Sequence, residues 1–317
     1  MIYLSPMQGL TDFVFRNAMH SIIGGPDKFF APYVSLIQKG DMQKRQLRDI
    51  VAEKQSEGIF LVPQLMGRDA SDLTAMARKL IDMGYSELNW NLGCPYPMVA
   101  KRGCGAGLIA DTSAVDAALS ALCAIDGLKL SVKLRSGYKS SEEFVALKPI
   151  LSSHPLHEII VHPRTGEQMY EGFADRDFFS ANCLNMPFPV AYNGDIRDAA
   201  EAAKLETEFG TVALGRGAII DPLLPLASRR GARLTAEEAT PLFWSFHDAI
   251  LEGTVERMSG GDLQICRKMY EYWQYWEQLF PGSDKQQKLI KKSQRLSSYQ
   301  DAARMIKHSY EIYSDAQ

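Results

Sequence analysis

A chain of 317 residues with 46% hydrophobic and 23% charged residues can bury a large core, which excludes a disordered protein and suits one large domain with a small one. Its formal net charge of −3 offers nucleic acid no global attraction, so an RNA partner requires a local basic patch. Five cysteines without a C-x-x-C pair exclude a recognisable zinc site or disulfide framework.

The opening Met1–Pro6 lacks a basic segment followed by an apolar leader, and no apolar run approaches the ~20 residues of a membrane span. The expectation is a cytoplasmic, metal-free monomer. Short β-rich runs then alternate with helical stretches. The predicted strands are Ile2–Ser5, Lys28–Val34, Ile59–Leu65, Glu87–Asn91, Leu128–Leu134, Glu158–His162, Pro189–Asn193 and Thr211–Leu214. Helical periodicity marks Ser71–Met83, Ser113–Ile125, Glu142–Leu151 and Arg197–Phe209, with Asp69–Ser71 and Asp111–Ser113 as N-caps. Strand–helix alternation implies parallel strands with crossover helices, and eight strands favour a closed (β/α)8 TIM barrel over an open sheet. After Arg233 no strand-like run follows. Thr235 and Glu238 form a capping box, placing a domain boundary near residue 235: a barrel over 1–235 and a small all-helical domain over 236–317.

Chemistry in such a barrel sits where strands run into their loops. Those ends carry Ser5-Pro6-Met7-Gln8-Gly9, Gln64, Asn91-Leu92-Gly93-Cys94-Pro95, Lys133-Leu134-Arg135, His162-Pro163-Arg164, Asn193-Gly194-Asp195 and Gly215-Arg216-Gly217. Cys94 lies on a Gly–Pro turn that presents its thiol, and a thiol of pKa near 8.5 is protonated at neutral pH and can donate. Cys104, in the loop Gly103–Gly107, is the competing candidate. Lys133 is either half of a structural ion pair or a fixed cation beside developing negative charge. His162 reads as a core histidine or as a partner for an electron-rich ring, and the glycine turns read as plain turns or as a phosphate site.

Taken in order, these elements resemble the tRNA-dihydrouridine synthase family over roughly residues 3–220, most specifically in Asn91-Leu92-Gly93-Cys94-Pro95 and Lys133-Leu134-Arg135. The resemblance implies FMN at the barrel mouth, reduced by NADPH, and hydride delivery to C6 of a uracil in tRNA. It makes Cys94 the acid that protonates C5. Pro6, Met7, Gln64, Asn91, Lys133 and His162 would surround the flavin, and Asn193, Gly194, Asp195, Gly215 and Arg216 its phosphate. Asn91, Arg135 and Arg164 would also meet substrate. Tyr96 stands where the family usually has serine, Pro163 where it has glycine, and Gln8 where a small or acidic residue is common. A base reduced within tRNA must leave its stack, which calls for an RNA-holding surface. Between Lys285 and Lys307 seven cationic residues face one acid, Asp301. Lys285, Lys288, Lys291, Lys292 and Arg295 are therefore the expected phosphate contacts. The aromatic cluster Tyr270, Tyr272, Trp273, Tyr275 and Trp276 reads as helical core. Two rivals remain: an FMN barrel of dihydroorotate-dehydrogenase type acting on a free metabolite, and an RNA-binding relative without activity.

Overall fold

The computed structural model describes residues 1–38 and 41–314. Eleven strands occur among them: β1 Ile2–Leu4, β2 Lys28–Phe30, β3 Leu36–Gln38, β4 Asp41–Met42, β5 Leu61–Val62, β6 Gln64–Leu65, β7 Glu87–Leu92, β8 Lys129–Gly137, β9 Glu158–Thr165, β10 Val190–Tyr192 and β11 Val212–Leu214. β3 and β4 form a small antiparallel hairpin that the sequence patterning does not predict. The other nine make one parallel sheet in the order β5-β2-β1-β11-β10-β9-β8-β7-β6.

The two ends of that order are one piece of chain. Pro63 interrupts the predicted third strand because it has no N–H for the ladder. On one side Leu61 and Val62 pair with Phe29 and Phe30 of β2. On the other, Gln64 and Leu65 pair with Asn89 and Trp90 of β7, and the Pro63 carbonyl accepts from Asn89 N at 2.9 Å. The sheet thus closes into the eight-stranded barrel expected from the sequence.

Side chains alternate in and out along each strand. Tyr3, Phe30, Val62, Ile160, Ala191 and Ala213 form a buried apolar cluster across six strands. Outside, the helix Ala70–Asp82 buries Leu73, Met76, Ala77 and Leu80, and Thr112–Cys123 buries Val115, Ala118, Leu119 and Leu122, each at helical spacing. Asp111 caps the second helix by accepting from Ala114 N at 3.1 Å, whereas Asp69 occupies the cap position of the first without a side-chain bond.

At the starts of the strands the interior is ionic. Lys28 Nζ lies 2.7 Å from Glu87 and 2.8 Å from Glu158, and Tyr3 donates to Glu158 at 2.8 Å. Glu87, His157 and Glu158 bring their ligand atoms within 4.8 Å of one another, and the Lys28 ammonium serves those carboxylates as their cation.

The chain divides into two compact units: Met1–Gln8, Asp27–Ile196 and Leu205–Gly215 form one, and Gly9–Pro26, Arg197–Lys204 and Arg216–Gln317 the other. In the second, the Thr235–Glu238 capping box opens the helix Ala236–Arg257 as predicted. An early helix, Phe13–Ala18, packs here, with the Phe15 ring edge-on to Phe246 at 5.3 Å. Tyr272, Trp273 and Trp276 are buried and Tyr270 and Tyr275 half-buried, so the aromatic cluster is chiefly core. No single helix among the described residues is long and apolar enough to cross a membrane.

Lys28→Ala should strand two buried carboxylates, costing about 3–5 kcal/mol. The midpoint of a urea titration, followed by far-UV circular dichroism, reads that loss directly.

Candidate active site

The interior positions continue upward by steps of two. One step beyond Tyr3, Val62, Ile160, Ala191 and Ala213 stand Ser5, Gln64, His162, Asn193 and Gly215. One step beyond Asn89 and Ser131, which bond each other inside the barrel, stand Asn91 and Lys133. The period of the strand therefore delivers these residues to one mouth.

A chain of amides runs into that mouth. Ser131 Oγ accepts from Asn89 Nδ2 at 2.8 Å, Asn89 Oδ1 from Gln64 Nε2 at 2.7 Å, and Gln64 Oε1 from Asn91 Nδ2 at 2.6 Å. Asn91 Oδ1 then accepts the backbone N–H groups of Gly93 and Cys94, both at 2.9 Å. Each amide orients the next, because an amide has distinct donor and acceptor ends.

The turn bearing Cys94 is fixed from other sides too. Its carbonyl accepts from Ala106 N at 3.0 Å, and the Gly93 carbonyl accepts from Arg135 Nε at 3.2 Å. Gly105, at φ +56°, backs so closely on the turn that a Cβ there would lie 2.6 Å from the Cys94 carbonyl oxygen. Burial raises the Cys94 thiol pKa, opposed by the Tyr96 backbone N–H and by Arg135 and Lys133. Burial raises Cys104 as well, so protonation state does not separate the two thiols. Anchorage does. Among the described residues Cys104 is held only within its own loop, by Val99 O at 3.3 Å and Gly107 N at 3.1 Å, with its Sγ 3.8 Å from the Arg102 carbonyl, whereas the Cys94 backbone is bonded to the amide chain.

Lys133 donates to Asn193 Oδ1 at 2.8 Å, and Asn193 Nδ2 donates onward to the Ala213 carbonyl at 2.6 Å. Burial, with the nearby Arg135 guanidinium, pushes the Lys133 pKa down to about 7. The ion-pair alternative for Lys133 finds no carboxylate among the described residues; its partner is the Asn193 amide. His162 is buried, and its Nε2 lies 3.2 Å from Arg164 Nη1. Arginine can only donate, so this contact places the lone pair on Nε2 and the imidazole proton on Nδ1. Pro163 does not break the strand, which continues to Thr165, and the two flanking side chains meet on one face.

Arg164 also forks onto Asp195 at 2.8 and 2.6 Å and donates to the Glu171 and Gly172 carbonyls. Asp195 additionally accepts from Ala174 N at 2.9 Å and has φ +50°. Arg135 spends a second donor on the Thr165 carbonyl at 2.7 Å. Both arginines thus brace loops of the mouth. Gly194 is tightly enclosed, a Cβ there falling 2.5 Å from Ala174 Cβ, whereas a Cβ on Gly215 would meet Asn193 Nδ2 and Ser5 Cβ at ordinary contact distance, 3.9 Å. Pro6 and Met7 are half-buried just past β1, and Arg216 opens the helix Arg216–Ile220. Lys285, Lys288, Lys291, Lys292 and Arg295 are all exposed, on or next to the helix Asp284–Lys292.

Sequence reading missed Asn89 and Ser131, and named Ser5 at its strand end without giving it a role. Ser5 Oγ is buried without a hydrogen-bond partner among the described residues. Polar residues in phase with a strand's apolar interior set were the available signal.

A closed parallel barrel with a thiol, an amine and an imidazole converging on its C-terminal mouth is an enzyme of the (β/α)8 class. Residues 3–308 match the family model for dihydrouridine synthase, and the chain belongs to that family of oxidoreductases. Two relatives are typical. A probable tRNA-dihydrouridine synthase of Rhodobacter capsulatus is 29% identical over 224 residues, 68% of this chain and 67% of that protein. A tRNA-dihydrouridine(16) synthase of Ralstonia nicotianae is 27% identical over 250 residues, 76% of each. The old yellow enzyme homologue of Zymomonas mobilis shares the fold, with a TM-score of 0.53 at 13% identity over 74% of this chain and 89% of that one.

Lys133 carries a pH signature. An unfolded lysine protonates below ~10.4, whereas folded Lys133 does so only below about 7. Between those values the unfolded chain holds the extra proton, so this group makes stability rise with pH there and leaves it flat below. In flavin-free protein, the stability difference between wild type and Lys133→Met should climb from about pH 7.5 to 9.5, by up to about 1.4 kcal/mol per unit. Denaturant titrations giving a constant difference would place the folded pKa elsewhere.

Proposed function

We propose that this protein reduces uridine in tRNA to 5,6-dihydrouridine, with FMN as its resident flavin and NADPH as electron donor. The observation that carries the reading is the Cys94 turn: a protonated thiol fixed through Asn91 to the same amide chain that ends in the barrel core. The mouth fits the flavin. Ser5 Oγ lacks a partner among the described residues, Gly215 brings bare backbone beside Ser5 and Asn193, and Lys133 with Asn193 offers donors in a desolvated position. Pro6, Met7, Gln64, Asn91, Lys133 and His162 would surround the ring system. Asn193, Gly194, Asp195 and Gly215, with Arg216 next in the chain, would hold the phosphate end.

Held by these residues and reduced by NADPH, FMN would supply the hydride that C6 of the uracil needs. Cys94 supplies the proton that C5 then needs. Its raised pKa keeps the thiol protonated at neutral pH, and its anchored backbone aims it without further reorganisation. Lys133, titrating near neutrality, takes up a proton when negative charge arrives beside it, which tightens that charge in the mouth. Arg135 and Arg164 act as positioning residues, meeting substrate through the loops they brace. Residues 236–317 form the tRNA-holding domain, with the cations of Lys285–Arg295 on phosphates. Arg304 is paired with Asp301, Lys307 lies over Trp244 and Lys291 over Tyr270, while the five predicted cations all remain exposed to solvent. The protein acts as a cytoplasmic monomer in this reading.

Cys94→Ala should bind FMN and accept electrons from NADPH, yet form dihydrouridine roughly 10²–10⁴-fold more slowly, the worth of a positioned general acid. Cys104→Ala should cost far less. Mass spectrometry of tRNA after incubation reads both, and near-normal product from Cys94→Ala would remove the assignment. Protein purified without flavin, and unable to take up FMN, would remove the whole reading.

Replacing Lys285, Lys288, Lys291 and Lys292 together by alanine should weaken tRNA binding and flatten its salt dependence. Each lost phosphate contact changes the slope of log K against log salt by roughly 0.7–0.9. An unaltered slope in a filter-binding titration returns the helix to a merely solvated face.

A further inference from the structure

Tyr96 is a large aromatic side chain left in water beside the reactive thiol. It stands two residues past Cys94 and is 55% exposed, with Met98 after it at 84%. Its backbone is nonetheless fixed: the Tyr96 carbonyl accepts from Val99 N at 2.8 Å and Ala100 N at 3.0 Å, capping the short helix Pro97–Ala100. Among the described residues no aromatic ring or cation packs on it. A rigid turn thus presents an open ring face at the rim.

Its surroundings are those of a single-stranded nucleic acid path. Tyr170, also partly exposed, lies with its ring 5.3 Å from the Arg135 guanidinium and 6.4 Å from the His162 ring, and is near enough to Tyr96 to add to the rise that burial gives its phenol. The Tyr33 hydroxyl is within electrostatic reach of Cys94, Arg102, Cys104 and Tyr96 together, which gathers these groups around one opening. Lys101 and Arg102, both exposed, stand just past the short helix that Tyr96 caps, five and six residues on. After β9 stand Glu167 and Glu171 in the loop, Asp175 as cap of the helix Arg176–Cys183 and Asp177 in its first turn, against one cation, Arg176, so phosphate is favoured less there than on the Lys101 side. Aromatic faces interleaved with cations are what bind single-stranded bases and their phosphates.

We propose that Tyr96 is a stacking shelf for the nucleobase next to the uridine in the site, with the adjoining phosphates lying over Lys101 and Arg102. The inference rests on the tRNA reading above and deepens it: the shelf would hold the strand open while one base occupies the mouth. A serine at this position has no ring to stack, so the shelf is a property of this chain's own residue.

Equilibrium binding of unmodified tRNA at fixed salt tests it, using flavin-loaded protein. Tyr96→Ala should weaken binding by roughly 5- to 150-fold, since stacking on one ring is worth about 1–3 kcal/mol per base. Tyr96→Phe should bind like wild type, because stacking needs the ring and not the hydroxyl. Retained flavin and an unchanged melting temperature show that the variants are folded. Equal affinity for Tyr96→Ala and wild type overturns the shelf, and so does an equal loss in Tyr96→Phe, which would point to a hydroxyl hydrogen bond instead. Failure of the function itself reads differently: the wild-type protein would then form no dihydrouridine, whatever its affinity for RNA.

Discussion

The mouth depends on a short line of side-chain amides. Ser131, Asn89, Gln64 and Asn91 pass hydrogen bonds from the barrel interior to the backbone of Gly93 and Cys94. Each member is buried, so each must be satisfied or carry the full desolvation penalty of an unpaired group. That penalty makes the line nearly all-or-none. The thiol's position is thereby set by the barrel itself, although it lies on a loop, and loops otherwise tend to be the mobile part of such enzymes. Gly105 completes the constraint from behind, where no side chain would fit.

Opposite this line the mouth is electrostatic. Lys133 has an amide for its partner, so no carboxylate among the described residues repays the desolvation of its ammonium. Asp195, by contrast, is answered by a forked guanidinium. The strand ends thus hold one neutralised pair and one cation in waiting, a division that suits a site where negative charge arrives during the reaction.

Much of this was readable in the sequence because parallel barrel strands impose a strict period. The eight predicted strands all occur, and Gln64, Asn91, Lys133, His162, Asn193 and Gly215 fall one period beyond interior positions. What was not readable has physical causes. Pro63 splits its strand through a missing donor that only the ladder makes consequential. The helix Phe13–Ala18 is six residues long and packs Phe15 against Phe246, more than two hundred residues away, so local periodicity could not announce it. Arg135 and Arg164 carry the right charge for substrate, but only coordinates reveal how many donors they spend on carbonyls. Asp69 has the identity of a cap without its bond. Ser5 was given no role because its significance is an absence of hydroxyl partners among the described residues.

The pairing of β1 with β11 has a consequence in time. Ile2, Tyr3 and Leu4 align with Val212, Ala213 and Leu214, and the Ser5 amide donates to the Leu214 carbonyl. On a ribosome adding roughly 5–20 residues per second, the first strand emerges about 10–40 seconds before the last one it must pair with. Throughout that interval the growing sheet has an unsealed edge, rich in β-branched and aromatic residues, open to wrong partners. The cavity has no complete wall until the final strand seats. Synthesis of this protein therefore passes through an obligatory open-edged stage that chaperones are suited to shield, and its active mouth comes into being in a single late step.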